Sequence, residues 1–242
     1  MFSQCSLITD LKALKYWEIS KVKTFKGMFY GCSSIKDLKP LENWNVSNIN
    51  DVSYMFYGCS ALTDIYPLKK WNISKGNNFS DMFRNCTSVS NIESLENWNI
   101  SNGIYFQNMF FECLSLKDIK PLKNWNVSNG VNFNYMFCNC SLLTDITPLE
   151  NWDFSNCTSL EGILSRCTEL TNINPIKNWY VSKCNNFSFL FNICVSLSNL
   201  EPLKNWDVSN GTDFQSMFRN CSSLSDISTL QNWNVLNGKL FK

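Results

Sequence analysis

Every tryptophan in the chain lies 27 residues from the next: Trp17, Trp44, Trp71, Trp98, Trp125, Trp152, Trp179, Trp206 and Trp233. A second ladder, Cys5, Cys32, Cys59, Cys86, Cys113, Cys140, Cys167, Cys194 and Cys221, keeps the same interval, and no insertion or deletion breaks either one. A period of this length leaves little choice of architecture. One such unit cannot bury its apolar residues alone, so each must stack on its neighbours as a coil of a solenoid. The expected fold is an α/β repeat. It is a right-handed, leucine-rich-repeat-like solenoid of nine 27-residue coils, running as one domain over residues 1–242 without evident caps.

The spacing inside a coil predicts its parts. With tryptophan as offset 0, apolar residues recur at offsets 0, 2, 8, 11, 12, 15, 18, 21 and 24. Offsets 0 and 2, as in Trp44-Asn45-Val46, alternate like a strand and carry a β-branched residue. They predict a short parallel strand pairing with the same strand in the next coil. Offsets 8, 11, 12 and 15, as in Phe79, Met82, Phe83 and Cys86, share one face of a short helix. Asp, Asn, Thr or Ser at offset 7 would cap that helix, and Gly or Asn at offset 14 would stop it. Glycine at offset 5, for example Gly103, suggests a backbone that needs freedom. Proline at offset 23, as at Pro40 and Pro121, predicts an extended return ending in a tight or 3₁₀ turn. At a parallel-strand spacing of about 4.8 Å, nine coils would stack into a rod roughly 40 Å long.

The tryptophan and cysteine columns form the expected structural core, above all Trp44, Trp71, Trp98, Trp125, Trp152, Trp179 and Trp206 with Cys59, Cys86, Cys113 and Cys140. The ladder cysteines read as small buried hydrophobes. Cys157 and Cys184 are separate from that ladder; both lie at offset 5, in adjacent coils, and are the expected disulfide pair under oxidation. Offset 25 alternates in charge through Glu42, Lys69, Glu96, Lys123, Glu150 and Lys177, which predicts a ladder of surface ion pairs between coils.

Little in the chain points to catalysis. It has no histidine, the usual base near neutral pH, and no catalytic residue is assigned. Neither a metal nor a cofactor is expected, because single cysteines one coil apart lack the clustering of zinc sites. Aspartates at offset 20, such as Asp64 and Asp145, read as turn caps rather than calcium ligands. The asparagines of the Asn-x-Ser motifs, including Asn45, Asn72, Asn99 and Asn126, are expected to form a side-chain ladder between coils. A net charge of +1 argues against a nucleic-acid surface, and no apolar run is long enough to span a membrane. Met1–Leu7 lacks the pattern of a signal peptide, so the chain as written is expected in the cytoplasm.

Three pieces of each coil, N-W-N-V-S-N, M-F-x-x-C-x-x-L and L-x-D-I-x-P-L, resemble the BspA-like leucine-rich repeat surface proteins. The branch built on N-W-x-x-S-N and M-F-x-x-C is the nearest in pattern. The D-I-x-P-L piece is also similar to internalin-type leucine-rich repeats. The resemblance covers the whole chain. It implies a non-enzymatic protein of a cell or virion surface that binds other proteins in adhesion or host contact. The alternative is a structural protein that stacks end to end, or a piece of a longer repeat protein. Met1-Phe2 already fills the Met-Phe slot and Phe241 fills offset 8, so head-to-tail self-association is a further expectation.

Overall fold

The computed structural model describes residues 1–241. Among them the regular helices are nine short 3₁₀ turns, from Lys12–Leu14 through Lys120–Leu122 to Ser228–Asn232. They lie where the proline spacing predicts. Proline occupies their first turn in six coils, where its missing N–H costs nothing. A side-chain oxygen at offset 20 fixes each approach: Asp37 Oδ1 accepts from the Lys39 N–H at 2.7 Å, and Asp145 Oδ1 from Thr147 at 2.8 Å. These aspartates are therefore turn residues.

The strand expected at offsets 0 and 2 does not form. Parallel pairing sits instead at offset 7, where single bridges link Thr24, Asp51, Asn78, Tyr105, Asn132, Ser159, Asn186, Asp213 and Leu240. Around Trp-x-Val the backbone bonds are local. The tryptophan N–H bonds the carbonyl three residues back, as Trp125 does with Leu122. The Ser128 N–H bonds the Asn126 side chain, and Gly130 N–H bonds the Val127 carbonyl. Backbone pairing across coils begins at offset 6, where Val131 N–H reaches the Ile104 carbonyl at 3.0 Å.

The short helix expected at offsets 8 to 15 is also absent. Its place is taken by overlapping turns whose backbone donors split two ways. Phe79, Asp81, Phe83 and Asn85 donate to the next coil, while Met82, Arg84 and Cys86 donate three residues back. The residues at offsets 10 and 14 have left-handed φ, for example Gly58 at 70° and Asn139 at 60°. A positive φ at the third position of a turn is the requirement of type II, and it stops a right-handed helix. The apolar spacing is the same in both structures, so the spacing alone misleads.

The core is one continuous column of buried residues from Leu11 to Cys221. Like side chains stack on like: Phe29, Phe56, Phe83, Phe110 and Phe137 lie nearly parallel, with centroids 5.7 to 5.9 Å apart. In the five coils with glycine at offset 5, the phenylalanine ring at offset 8 takes the space that a Cβ would need. A Cβ on Gly130 would fall 2.2 Å from the Phe133 ring. The Trp152 coil shows the compensation, since it places cysteine at offset 5, leucine at offset 8 and moves the phenylalanine to Phe154. That ring fills the vacated volume, 4.9 Å from Phe133 and 4.4 Å from Trp179.

Candidate interaction surface

The tryptophans Trp44, Trp71, Trp98, Trp125, Trp152, Trp179 and Trp206 are buried, and each donates its Nε1–H to a carbonyl of the preceding coil. For Trp125 the acceptor is Leu95 at 2.9 Å. Cysteines 59, 86, 113 and 140 lie behind them, and each thiol donates to the carbonyl of the phenylalanine at offset 12 one coil earlier. Burial raises all of these thiols, Cys86 to about 12, which keeps them protonated and chemically quiet. Cys157 and Cys184 are both buried and unbridged. The Cys184 thiol bonds the Cys157 carbonyl at 3.3 Å, and its contact with the Cys157 side chain, together with burial, raises its pKa.

The charge row at offset 25 lies at the surface, with Lys69, Glu96, Lys123, Glu150 and Lys177 exposed and Glu42 half-buried. No ion pair joins its neighbours among the described residues. Glu42 instead meets Lys70 at 2.7 Å, and Lys69 lies over the Tyr66 ring at 5.1 Å. The 3₁₀ turn explains the difference, because it carries Lys70 rather than Lys69 toward the earlier coil. The asparagine ladder is real but uses another column: Asn102, Asn129 and Asn156 at offset 4 donate to serine carbonyls of the preceding coil at 2.8 Å. Asn45, Asn99 and Asn126 close local turns with their own serines. Among the described residues no group of three or more His, Cys, Asp or Glu is placed to hold a metal. No helix there is long and apolar enough to cross a membrane.

One face departs from the repetition. Offsets 10 and 13 project from the turn segment that links coils through the backbone. Their residues change from coil to coil: Gly27, Tyr54, Asp81, Asn108 and Tyr135 in the first column, Tyr30, Tyr57, Arg84, Phe111 and Cys138 in the second. The second column makes a continuous stripe. Tyr30 stacks on Tyr57 with centroids 4.5 Å apart, and the Arg84 guanidinium lies 5.5 Å from the Tyr57 ring and 4.3 Å from Phe111. Phe111 meets Tyr135 edge-on at 6.4 Å. Arg84 Nη1 pairs with Asp81 Oδ1 at 3.2 Å, and the Tyr135 hydroxyl donates to Glu161 at 2.6 Å. Burial pushes the Asp81 carboxyl and the Tyr54, Tyr57 and Tyr135 phenols up. Sequence reasoning misses this face because a search for periodicity looks for what repeats. The usable signal is the run of aromatic and charged residues in one variable column, Tyr30, Tyr57, Arg84 and Phe111.

Among the described residues, stacked coils with a shared core define a repeat solenoid. The chain belongs to the family described as "Mycoplasma protein of unknown function, DUF285", whose model matches residues 1–115, 90–169 and 142–241. No curated protein matches it. Solved structures similar to it include a leucine-rich repeat protein from Bacteroides ovatus ATCC 8483, 17% identical over 84% of this chain, with a TM-score of 0.41. The chain spans 62% of that protein's length. A leucine rich cell surface protein from Faecalibacterium prausnitzii A2-165 is 15% identical, covering 85% of this chain and 77% of its own, with a TM-score of 0.28. The functional domain of InlJ from Listeria monocytogenes, which includes a cysteine ladder, is 11% identical, covering 96% of this chain and 64% of its own, with a TM-score of 0.22.

Proposed function

We propose that this chain is a non-enzymatic binding module of a cell-surface type, one right-handed solenoid domain of the BspA-like N-W-x-x-S-N and M-F-x-x-C branch. One observation supports this most: surface columns, among them offsets 10 and 13 with their aromatic and charged residues, vary from coil to coil, while the core columns behind them stay nearly constant. A frame that only had to stack would favour the same residue in every coil. Here the frame is fixed and its display varies, which is how repeat proteins build extended binding surfaces. The partner is another protein, held in adhesion or host contact. Binding of fractionated native material to the immobilised chain, compared with an Arg84→Ala and Tyr57→Ala double variant that melts normally, tests the reading. Retention by the wild type and loss by the variant is expected; equal retention, or none by either, would overturn it.

A second reading, end-to-end stacking of copies or of further coils in a longer chain, has its own observation. The last coil leaves an open apolar recess of about 620 Å³ lined by Phe214, Met217, Phe218, Leu230, Trp233 and Phe241. The first coil leaves a smaller one of about 170 Å³ beside Met1, Trp17 and Phe25.

A further inference from the structure

From the face at offsets 9 to 14 we infer that the partner of this solenoid is an extended polypeptide segment, bound by its main chain along the stripe Tyr30, Tyr57, Arg84 and Phe111. The inference rests on the binding-module reading and adds the chemistry of the occupant.

Two independent features mark the face as built for a ligand. The first is backbone cost. Offset 10 requires a left-handed φ, for which glycine serves in Gly27 and Gly162. Yet Tyr54 stands there at 58°, Tyr135 at 57° and Phe189 at 57°. Bulky residues avoid this region, so their presence at offset 10 carries a backbone cost. The second is a concentration of orphaned polar atoms. Seven buried side-chain nitrogen or oxygen atoms lack a partner among the described residues. Six lie at offsets 9, 13 and 14: Ser53 Oγ, Arg84 Nε, Asn85 Oδ1, Gln107 Oε1, Asn134 Oδ1 and Asn192 Oδ1. Ser53 is wholly buried and Asn192 is 7% exposed. Groups that have lost water without gaining a partner weigh against the free protein, and a ligand that completes them relieves that cost.

The arrangement then selects the kind of ligand. Tyr57 is enclosed between the Tyr30 ring and the Arg84 guanidinium, which also covers one face of Phe111. A polysaccharide that stacks on open ring faces finds none at Tyr57, the centre of the stripe. What the stripe presents outward is edges: phenol hydroxyls, ring C–H and guanidinium N–H. Beside them the orphaned set holds one N–H donor, Arg84 Nε, and the amide oxygens of Asn85, Gln107 and Asn134 as acceptors. An extended main chain supplies the complement, carbonyls for the guanidinium and N–H groups for the amide oxygens. The tyrosines and Arg84 are held in place before binding, so little side-chain freedom is lost.

The test uses a phage-displayed library of random linear peptides selected on the whole chain. Enriched peptides should bind the wild type and lose about tenfold or more in affinity on Tyr57→Ala and on Arg84→Ala, as hot-spot truncation does. Arg84→Lys should also weaken binding, since it keeps the charge but loses the planar fork and its stacking. Lys123→Ala and Lys177→Ala, on the charge row, should leave affinity unchanged. Unaltered tryptophan fluorescence and melting establish that each variant folds. Peptides indifferent to both stripe variants would overturn this inference and leave the binding-module reading standing, as would an oligosaccharide array bound through the same residues in place of peptide. Failure of peptides and native partners alike would remove both readings.

Discussion

At the scale of single residues, phase within the repeat decides what a side chain is worth. Trp125 is buried and donates to Leu95, so Trp125→Ala removes a large ring and leaves an unpaired carbonyl. It should cost on the order of 3–5 kcal/mol. Lys123, two positions earlier, is exposed and unpaired, and Lys123→Ala should cost under about 0.5 kcal/mol. Thermal melts of the two variants read the difference, and equal shifts would contradict the assignment of phase. Cysteines are sorted by neighbourhood in the same way. Cys184 and Cys157 engage carbonyls as the ladder thiols do, but Cys184 also contacts the Cys157 side chain from the adjacent coil. We propose that oxidation with diamide, which takes two electrons and two protons from the pair, links Cys157 to Cys184 first. Burial makes the reaction slow until the coils open locally. Peptide mapping that finds ladder cysteines joined before this pair would remove the proposal.

Elements in this molecule are turns, and turns respond to backbone geometry and to capping. Arg166 holds φ at 60°, its side chain is exposed, and its backbone N–H donates to the Asn192 carbonyl. Arg166→Gly keeps that bond and relieves a left-handed penalty of about 1–2 kcal/mol. Glycine's greater unfolded entropy takes back about 0.5–1 kcal/mol, so net stabilisation near 1 kcal/mol or less is expected in urea unfolding. A lower midpoint would show that the arginine side chain contributes more than its backbone costs. Asp145, Asp207 and Asp226 test capping. Hydrogen bonds from the side chain and backbone of Thr147 and of Ser209 hold the first two carboxyls below their usual range; the Ser228 backbone and hydroxyl do so for Asp226. A lowered carboxylate pKa contributes stability above the unfolded value near 3.9 and loses it as pH falls through the folded value. The melting temperature should therefore drop steeply below about pH 4. A triple Asp→Asn variant, which retains the caps as Asn91 and Asn172 do, should flatten that drop. An unchanged slope would place the acid sensitivity elsewhere.

For the molecule as a whole, end faces and length matter most. A solenoid's coils contact only their neighbours, so an uncovered terminal coil keeps its apolar side in water. Leu236 and Phe241 are 91% and 59% exposed at one end, and Met1 is 83% exposed at the other. We propose that such unlike ends meet head to tail, a heterologous contact that extends rather than closes. Light scattering of the 242-residue chain should show mass rising with concentration, and Phe241→Glu should hold it lower. A constant monomer mass at high concentration in the parent chain would rule this assembly out. The binding-module reading does not depend on the outcome, since the stripe lies along the side of the stack.

The sequence alone determines that coils stack, because a strict 27-residue interval places tryptophan on tryptophan and cysteine on cysteine. It also locates the 3₁₀ turns through proline and the Asx caps through aspartate, both local effects that need no neighbour. What only the tertiary structure decides is which backbone groups pair across coils. Offsets 8, 11, 12 and 15 suit a helix as well as they suit two type II turns. The choice falls to the turns because the next coil offers carbonyls to Phe79, Asp81, Phe83 and Asn85. The same contact across coils, invisible in any single repeat, brings Tyr30, Tyr57, Arg84 and Phe111 into one stripe, each 27 residues from the next and each in ring contact with its neighbour.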